Sequence, residues 1–496
     1  MFKKVLIANR GEIAVRVSQA LQEMGIVALA VYSDADRKAL HVMRADEAVP
    51  LPGTAPGETY LNQARLIAIA KKAGVDAVHP GYGFLSENAA FARACREAGL
   101  VFIGPQPEVI EAMGDKILAK ARLAEAGVPV VPGWKGDTSD LAALKKAAAK
   151  IGYPVLLKAA AGGGGKGMRI VRSEEKLAEA LAAATREATG AFGDGRIFVE
   201  KYIDRPRHIE FQIFGDKHGN CVQLFERECS IQRRYQKIIE ESPSPALTPA
   251  LRTAMGKAAL AAARALNYEG AGTVEFMLAP NGHFYFLEVN TRLQVEHPVT
   301  ELVLGLDLVR AQILVAAGEP LPFDQKSVRQ RGHAIECRIY AEDPAHFFLP
   351  STGRLAQFST PRGAHVRVDV GVRRGSEVSV HYDPMLAKLV VWGGDREEAR
   401  QRMAWALRRF AVLGVTTNIE FLARVVEHPA FIAGDLHTHF LEEHSLDLSA
   451  PERLEAAVAI AAGLAAAGPG GEARAAAAAA GAGTGPWQNG QRWRNS

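Results

Sequence analysis

The segment GTVEFMLAPNGHFYFLEVNTRLQVEHP, residues 272–298, constrains the chain more than any other. Two alternating strand patterns flank Asn281-Gly282, the strongest short hairpin signal, because a tight type I′ turn needs positive φ at both central positions. A two-residue turn there places Glu275 directly opposite Glu288. Two carboxylates facing each other across a ladder repel, and a divalent cation is the economical compensation. Asn290 lies two residues beyond Glu288, on the same face, and adds an oxygen. Carboxylate and amide oxygens, with phosphates completing the shell, describe Mg²⁺ (or Mn²⁺) held beside a nucleotide. On this spacing Met277, Phe284 and Phe286 share the acids' face and partly bury it; the alternative is a solvated polar face. Arg292, Gln294 and Glu296 continue at spacing two. If the extended conformation persists, a cation, an amide and an acid follow the metal, able to bind a small anion and supply a base. A loop leading into a helix, with structural charges, fits these three residues equally well.

A second stretch, KAAAGGGGKGMRI (158–170), raises the question of phosphate binding. Gly165-Lys166 is followed by Gly167, so the hydroxyl of a Walker A loop is missing. The flanks YPVLLKA and MRIVRS read as strands, whereas a P-loop opens into a helix. The run is therefore a flap between two strands. Its glycines would let backbone N–H groups approach a polyphosphate without side-chain obstruction; a hairpin tip without ligand is the alternative.

The first hundred residues alternate strand and helix. KKVLIA, IVALAVYS, VDAVHP and LVFIG read as strands; GEIAVRVSQALQEMG, TYLNQARLIAIAKKAG and NAAFARACREAG read as helices. This alternation predicts a doubly wound parallel sheet, and the lack of G-x-G-x-x-G argues against a dinucleotide. A helix follows in DKILAKARLAEAG, then a small α/β unit at roughly 130–203 that carries the flap. From about 204 to 446 hairpins dominate, with helices near 250–267 and 395–410. Beyond that the chain turns Ala/Gly-rich, a linker composition.

Composition narrows the function classes. The 496 residues are 48% hydrophobic and 23% charged, enough for several cores. A net charge of +4, with dispersed basic residues, gives no reason to expect nucleic acid. Cys95, Cys221, Cys229 and Cys337 form no C-x-x-C, so neither zinc nor a disulfide framework is indicated, and a reducing cytoplasm fits. The sequence shows no signal-peptide pattern at Met1 and no apolar stretch of membrane-spanning length.

These residues carry a resemblance. ANRGEIAVR, HPGYGFLSEN, GGGGKGM, EKYIDRPRHIEFQ, ECSIQRR, FLEVNTRLQVEHPVTE and GHAIECRIYAEDP resemble the biotin carboxylase component of biotin-dependent carboxylases, an ATP-grasp enzyme, from residue 1 to about 446. In detail the chain is similar to α subunits of acyl-CoA carboxylases of propionyl or methylcrotonyl type. The resemblance implies an α/β fold, α+β in its C-terminal part. It divides into a Rossmann-like domain at 1–114, an ATP-grasp region at 115–330 with its lid, a C-terminal domain at 331–446, and a linker and tail at 447–496. It implies that Lys116 and Lys158 contact ATP phosphates under the flap of Gly162, Gly163, Gly164, Gly165, Lys166, Gly167 and Met168. Glu200, Lys201, His208, Gln232 and Tyr235 would line the nucleotide pocket, and Glu275 and Glu288 would hold the metal with Asn290 close by. Lys237, Arg292, Gln294 and the Val295 backbone would hold bicarbonate, and Glu296 would deprotonate it. Arg338 would stabilise the biotin enolate, and Tyr82 would sit near the ureido ring.

Two departures stand out. Tyr235 occupies a position where the family commonly has histidine or asparagine. No Met-Lys-Met biotinylation triplet occurs in the sequence, so the expectation is a biotin carrier in trans, with a carboxyltransferase subunit and a homodimer implied by the resemblance. On the same expectation Trp487 and Trp493 mark a docking segment for that carrier; an unused end fits these residues equally well. Another bicarbonate-activating ATP-grasp ligase and a non-catalytic nucleotide-binding subunit are the competing readings; HPGYGFLSEN and GHAIECRIYAEDP oppose the first, and the presence of Lys237, Glu296 and Arg338 opposes the second.

Overall fold

The computed structural model describes residues 1–134, 136–160, 167–444 and 446. The flap residues Gly162, Gly163, Gly164, Gly165 and Lys166, and the tail with Trp487 and Trp493, lie outside them.

The N-terminal alternation folds as the pattern predicts. Five parallel strands lie in the order Glu47–Leu51, Val27–Ser33, Lys4–Ile7, Ala77–His79, Val101–Phe102. Helix Gly11–Glu23 buries Ile13, Val17, Ala20 and Leu21 against this sheet. Helices Gln63–Ala73 and Ala89–Glu97 begin at Asn62 and Asn88, whose side chains accept from Arg65 N and Phe91 N. Strand order reverses between Lys4–Ile7 and Ala77–His79, the place where open α/β sheets present a ligand crevice. Asn9 Nδ2 ties the two loops there, donating to Pro80 O at 2.7 Å and Tyr82 O at 2.8 Å.

The segment expected to form the lid carries a four-stranded sheet in the order Gly133–Trp134, Ile197–Lys201, Val155–Ala159, Arg169–Val171. Val155–Ala159 and Arg169–Val171 pair antiparallel across the glycine run. The run therefore joins two strands, as its flanks required. Gly167 has φ +70°, and a Cβ there would stand 3.0 Å from that of Ala159.

An eight-stranded antiparallel sheet forms the rest of the frame. Its order is Phe284–Asn290, Gly270–Leu278, Arg207–Gly215, Cys221–Arg233, Gln236–Ser242, His333–Tyr340, Met385–Gly393, Val366–Val370. Helix Pro249–Ala265 covers one face, packing Met255, Ala259 and Ala262 with Phe211, Val274 and Phe276. The region has more helix than its hairpin pattern suggested: His297–Leu304, Leu308–Ala316 and Ile419–Glu427 are helical. Short apolar runs such as LVRAQILVA cannot be assigned to strand or helix by periodicity when most of their faces are buried.

The hairpin register differs near the turn and agrees at the acids. Ala279 N–H donates to His283 O and Leu278 faces Phe284, so the turn takes three residues, with Gly282 at φ +84°. A register shift between Glu275 and Phe276 then restores Glu275 opposite Glu288. The bulge also changes the faces. Phe284 and Phe286 lie with Phe276 in the core beneath helix Pro249–Ala265 rather than beside the acids.

Candidate active site

The sheet brings the acidic residues into one transverse row. Glu275 faces Glu288 on one side and Glu210 on the other, and Glu210 faces Arg227. Three carboxylates abreast need positive charge. Lys237, from the next strand but one, supplies it: its Nζ reaches Glu210 Oε2 at 2.5 Å, Glu275 Oε1 at 2.8 Å and Glu296 Oε1 at 2.8 Å. His208 Nε2 lies 3.1 Å from Glu275 Oε2. Gln232 Nε2 donates to His208 Nδ1 at 2.8 Å, which leaves the ring proton on Nε2, facing the acid. Much of the compensation expected from a metal is thus present in the protein itself.

Burial works against the charges of Lys237, Glu275 and Glu296, and the pairings outweigh it. The carboxylates around Lys237 hold its ammonium well above the ordinary lysine range despite burial. Glu275, buried but beside Lys237 and His208, is held well below the usual carboxylate range. Glu296 is lowered likewise, by Lys237, Arg338 and Arg227 acting against its burial.

Glu296 is the residue preceding helix His297–Leu304, so the extended spacing beyond Asn290 does not persist. The segment is a loop leading into a helix, yet its three side chains converge. Glu296 Oε2 accepts from Arg338 Nη2 at 2.9 Å. Gln294 Nε2 donates to Glu275 Oε1 at 2.9 Å. Arg292 is tied to Glu87 of the HPGYGFLSEN motif by Nε at 2.7 Å, and to Asn290 Oδ1 by Nη2 at 3.0 Å. The Val295 carbonyl accepts from buried Lys388 at 3.0 Å.

Glu288 is the more open of the paired acids, with Lys116 Nζ 3.5 Å from its Oε2. Two carboxylates in register beside the Asn290 amide, Glu275 buried and Glu288 partly exposed, form a hard-oxygen donor set that fits Mg²⁺ or Mn²⁺. On the lid, Glu200 accepts from Lys158 Nζ at 3.2 Å and from Lys120. Burial opposes the Glu200 charge, and the two lysines lower its pKa below the ordinary value. Lys120 itself is pulled down to about 8 by burial.

Four expected residues stand apart from this group or enter it indirectly. The Lys201 ammonium bonds the carbonyls of Gly152 at 2.8 Å and Tyr153 at 3.1 Å, within the lid. Met168 sits at the end of the flap, its carbonyl accepting from Arg169. Tyr235 is 63% exposed, at the tip of a two-residue turn closed by the Arg233/Gln236 pair. Tyr82 reaches the site through Lys388, whose Nζ lies 5.9 Å from its ring centroid and whose backbone pairs with Arg338.

This geometry joins three matches to known families along the chain. Residues 1–110 match the biotin carboxylase N-terminal domain, 115–324 the carbamoyl-phosphate synthase L chain ATP-binding domain, and 336–443 the biotin carboxylase C-terminal domain. A biotin carboxylase of Halalkalibacterium halodurans is 52% identical over 444 residues, covering 90% of this chain and 98% of that protein. The chain belongs to the biotin carboxylase family. The methylcrotonoyl-CoA carboxylase α subunit of Dictyostelium discoideum is 53% identical over 450 residues, 90% of this chain; the match spans 64% of that relative's length. The biotin carboxylase domain dimer of Hydrogenobacter thermophilus 2-oxoglutarate carboxylase, solved with MgADP, ADP and bicarbonate, superimposes with a TM-score of 0.86 at 49% identity, covering 90% of this chain and 98% of that one. The ATP-grasp fold of the family is the one described above.

Several residues of this biotin carboxylase site carry no role in the sequence reading. Glu210 was legible, since it follows His208 at spacing two on a strand. Lys120 follows Lys116 at spacing four on helix Lys116–Glu125. Glu240 holds Arg338 from behind, accepting from its Nε at 2.7 Å, and burial pushes its carboxyl up to about 7 against that pairing. Neither Glu240 nor Lys388 carries a local signal, because each meets the site across strands distant in sequence.

Proposed function

We propose that, in the ATP- and bicarbonate-dependent carboxylation of biotin, Glu296 is the base and Lys237, Arg292, Gln294 and the Val295 backbone form the cradle for bicarbonate. The observation that carries this reading is the convergence on Glu296. Its two oxygens are held by two different cations, Lys237 at 2.8 Å and Arg338 at 2.9 Å. So held, the carboxylate is ionised but a weak base. A bicarbonate anion that draws Lys237 and Arg338 toward itself restores basicity at the moment a proton must be accepted. Deprotonated bicarbonate then attacks the γ-phosphorus, and ADP leaves. Lys116 and Lys158 offset charge on the transferred phosphoryl group, with the glycine flap and Met168 closing over it. A divalent cation held by Glu275 and Glu288, with Asn290 beside them, would neutralise further phosphate charge.

Carboxyphosphate so formed breaks down to CO₂ and phosphate. The phosphate takes the biotin N1′ proton, N1′ attacks CO₂, and Arg338 offsets the charge on the ureido oxygen, with Tyr82 beside the ring. Glu200, Lys201, His208, Gln232 and Tyr235 belong to the nucleotide side of the site in this reading. Hydrolysis of ATP that depends on bicarbonate and rises with free biotin tests it; ATP hydrolysis indifferent to both would overturn it.

The division at about 114, 330 and 446, with its lid, belongs to the same reading. So do a homodimer, a biotin carrier acting in trans, a carboxyltransferase partner and a cytoplasmic location, the last supported by four free thiols. Among the described residues no helix is long and apolar enough to cross a membrane. The acyl-CoA or oxo-acid finally carboxylated belongs to the carboxyltransferase partner.

A further inference from the structure

Arg227 has no assigned role, and it is the largest fully buried side chain among the described residues. All five of its N–H groups are engaged. Nε donates to Glu210 Oε1. Nη1 donates to Gln212 Oε1 at 2.8 Å and Thr300 Oγ1 at 2.9 Å. Nη2 donates to Thr273 Oγ1 at 3.1 Å and Gln294 Oε1 at 2.7 Å.

A guanidinium has donors only. The atom Gln294 presents to Arg227 must therefore be the amide oxygen, and its NH₂ must face the other way. That is where Glu275 Oε1 lies, 2.9 Å from Nε2. Gln212 obeys the same rule: its oxygen faces Arg227 and its NH₂ bonds Gly272 O at 2.9 Å. Arg227 also fixes Glu210, the acid that receives Lys237 Nζ at 2.5 Å. One buried fork thus sets the orientation of an amide and the anchor of an ammonium, both in the anion cradle.

We propose that Arg227 is a positioning residue for bicarbonate: it locks the Gln294 amide with its oxygen turned away, so that the N–H not given to Glu275 is left for the anion, and holds Glu210 where it steadies Lys237. The proposal rests on the bicarbonate cradle argued above. A purely structural Arg227 would change the amount or stability of folded protein, and with it apparent kcat. A positioning Arg227 changes KM for bicarbonate while leaving KM for ATP in place.

The test is steady-state, bicarbonate-dependent ATP hydrolysis by the full chain with free biotin. Arg227→Lys keeps the charge but loses the fork. It is expected to raise KM for bicarbonate about tenfold, the equivalent of one hydrogen bond to a charged group, with KM for ATP within about twofold. The double substitution Thr273→Val, Thr300→Val is near-isosteric, leaves every charge in place and loosens the fork from two sides. It is expected to shift KM for bicarbonate the same way by about threefold, and it decides the question if Arg227→Lys does not fold. In a Gln294→Met background Arg227→Lys should add clearly less than its full tenfold, because the amide route is already gone and only the Glu210–Lys237 route is left. Unmoved bicarbonate KM in Arg227→Lys and the Thr pair, or penalties that multiply in the Gln294→Met background, would overturn the proposal. Wild-type hydrolysis that ignores bicarbonate would remove the cradle reading itself, a different failure.

Discussion

Arg338 Nη2 lies 2.9 Å from Glu296 Oε2, so the side chain proposed to stabilise the biotin enolate and the one proposed to deprotonate bicarbonate form one ion pair. Glu240 grips the same guanidinium from behind, at 2.7 Å from Nε. On those proposed roles the two chemical steps would be coupled electrostatically, since any shift of Arg338 toward biotin would change the basicity of Glu296.

Arg338→Met should raise the Glu296 pKa, because it removes one of the three cations that depress it. The acid limb of the pH profile for bicarbonate-dependent ATP hydrolysis is expected to move up by about one unit or more. Biotin carboxylation should fall further than ATP hydrolysis, since the role proposed for Arg338 is in the later step. An unmoved acid limb with equal loss of both activities would place Arg338 outside this scheme.

Glu288→Gln removes one negative charge from the acid pair while keeping its shape. The Mg²⁺ concentration for half-maximal ATP hydrolysis should rise about tenfold or more, with the fold intact by circular dichroism. Wild-type activity at limiting Mg²⁺ would sink the metal assignment.

Glu336 faces Glu240 directly across the ladder, and among the described residues neither of its oxygens has a hydrogen-bond partner. Burial raises its pKa well above the carboxylate range and pushes Glu240 up to about 7. A raised folded-state value favours the neutral acid. That stabilisation is complete below the unfolded value of about 4.3 and is lost as pH rises through the folded values. The protein should therefore lose stability as pH rises from about 4.3 through 7 and above. Glu336→Met should flatten that decline and gain about 1–3 kcal/mol at pH 9. Thermal melts across this range check it; a variant less stable than wild type at pH 9 counts against the buried acid pair.

Tyr235 and Arg234 have φ of +68° and +48° in a two-residue turn, a conformation that costs an ordinary side chain about 1–2 kcal/mol. Tyr235→Asn should stabilise the protein by about 0.5–1 kcal/mol, since asparagine tolerates this region. Urea unfolding measures the gain, and KM for ATP measured alongside reports whether the Tyr235 ring serves the nucleotide. A loss of stability would show that the ring's contacts outweigh the backbone strain.

By itself the sequence determined the parts whose physics is local. The helices Gln63–Ala73 and Ala89–Glu97, the strand–glycine–strand flap, and the N-terminal alternation all follow from neighbours within a few residues. The Glu275/Glu288 pairing also came out right, although the turn takes three residues and a bulge compensates one register step. A bulge has no sequence signature strong enough to predict, and it moved Phe284 and Phe286 to the opposite face. Only the tertiary structure decided what stands around the acids. Lys237 settles between Glu210, Glu275 and Glu296, and Arg227 aligns the Gln294 amide, because strands distant in sequence lie side by side. Burial then makes each pairing obligatory: an unpaired charge inside the sheet costs more than any local preference can supply. Spacing along the chain could place Arg292, Gln294 and Glu296 near the metal, but the loop leading into helix His297–Leu304, not an extended strand, turns them to one centre.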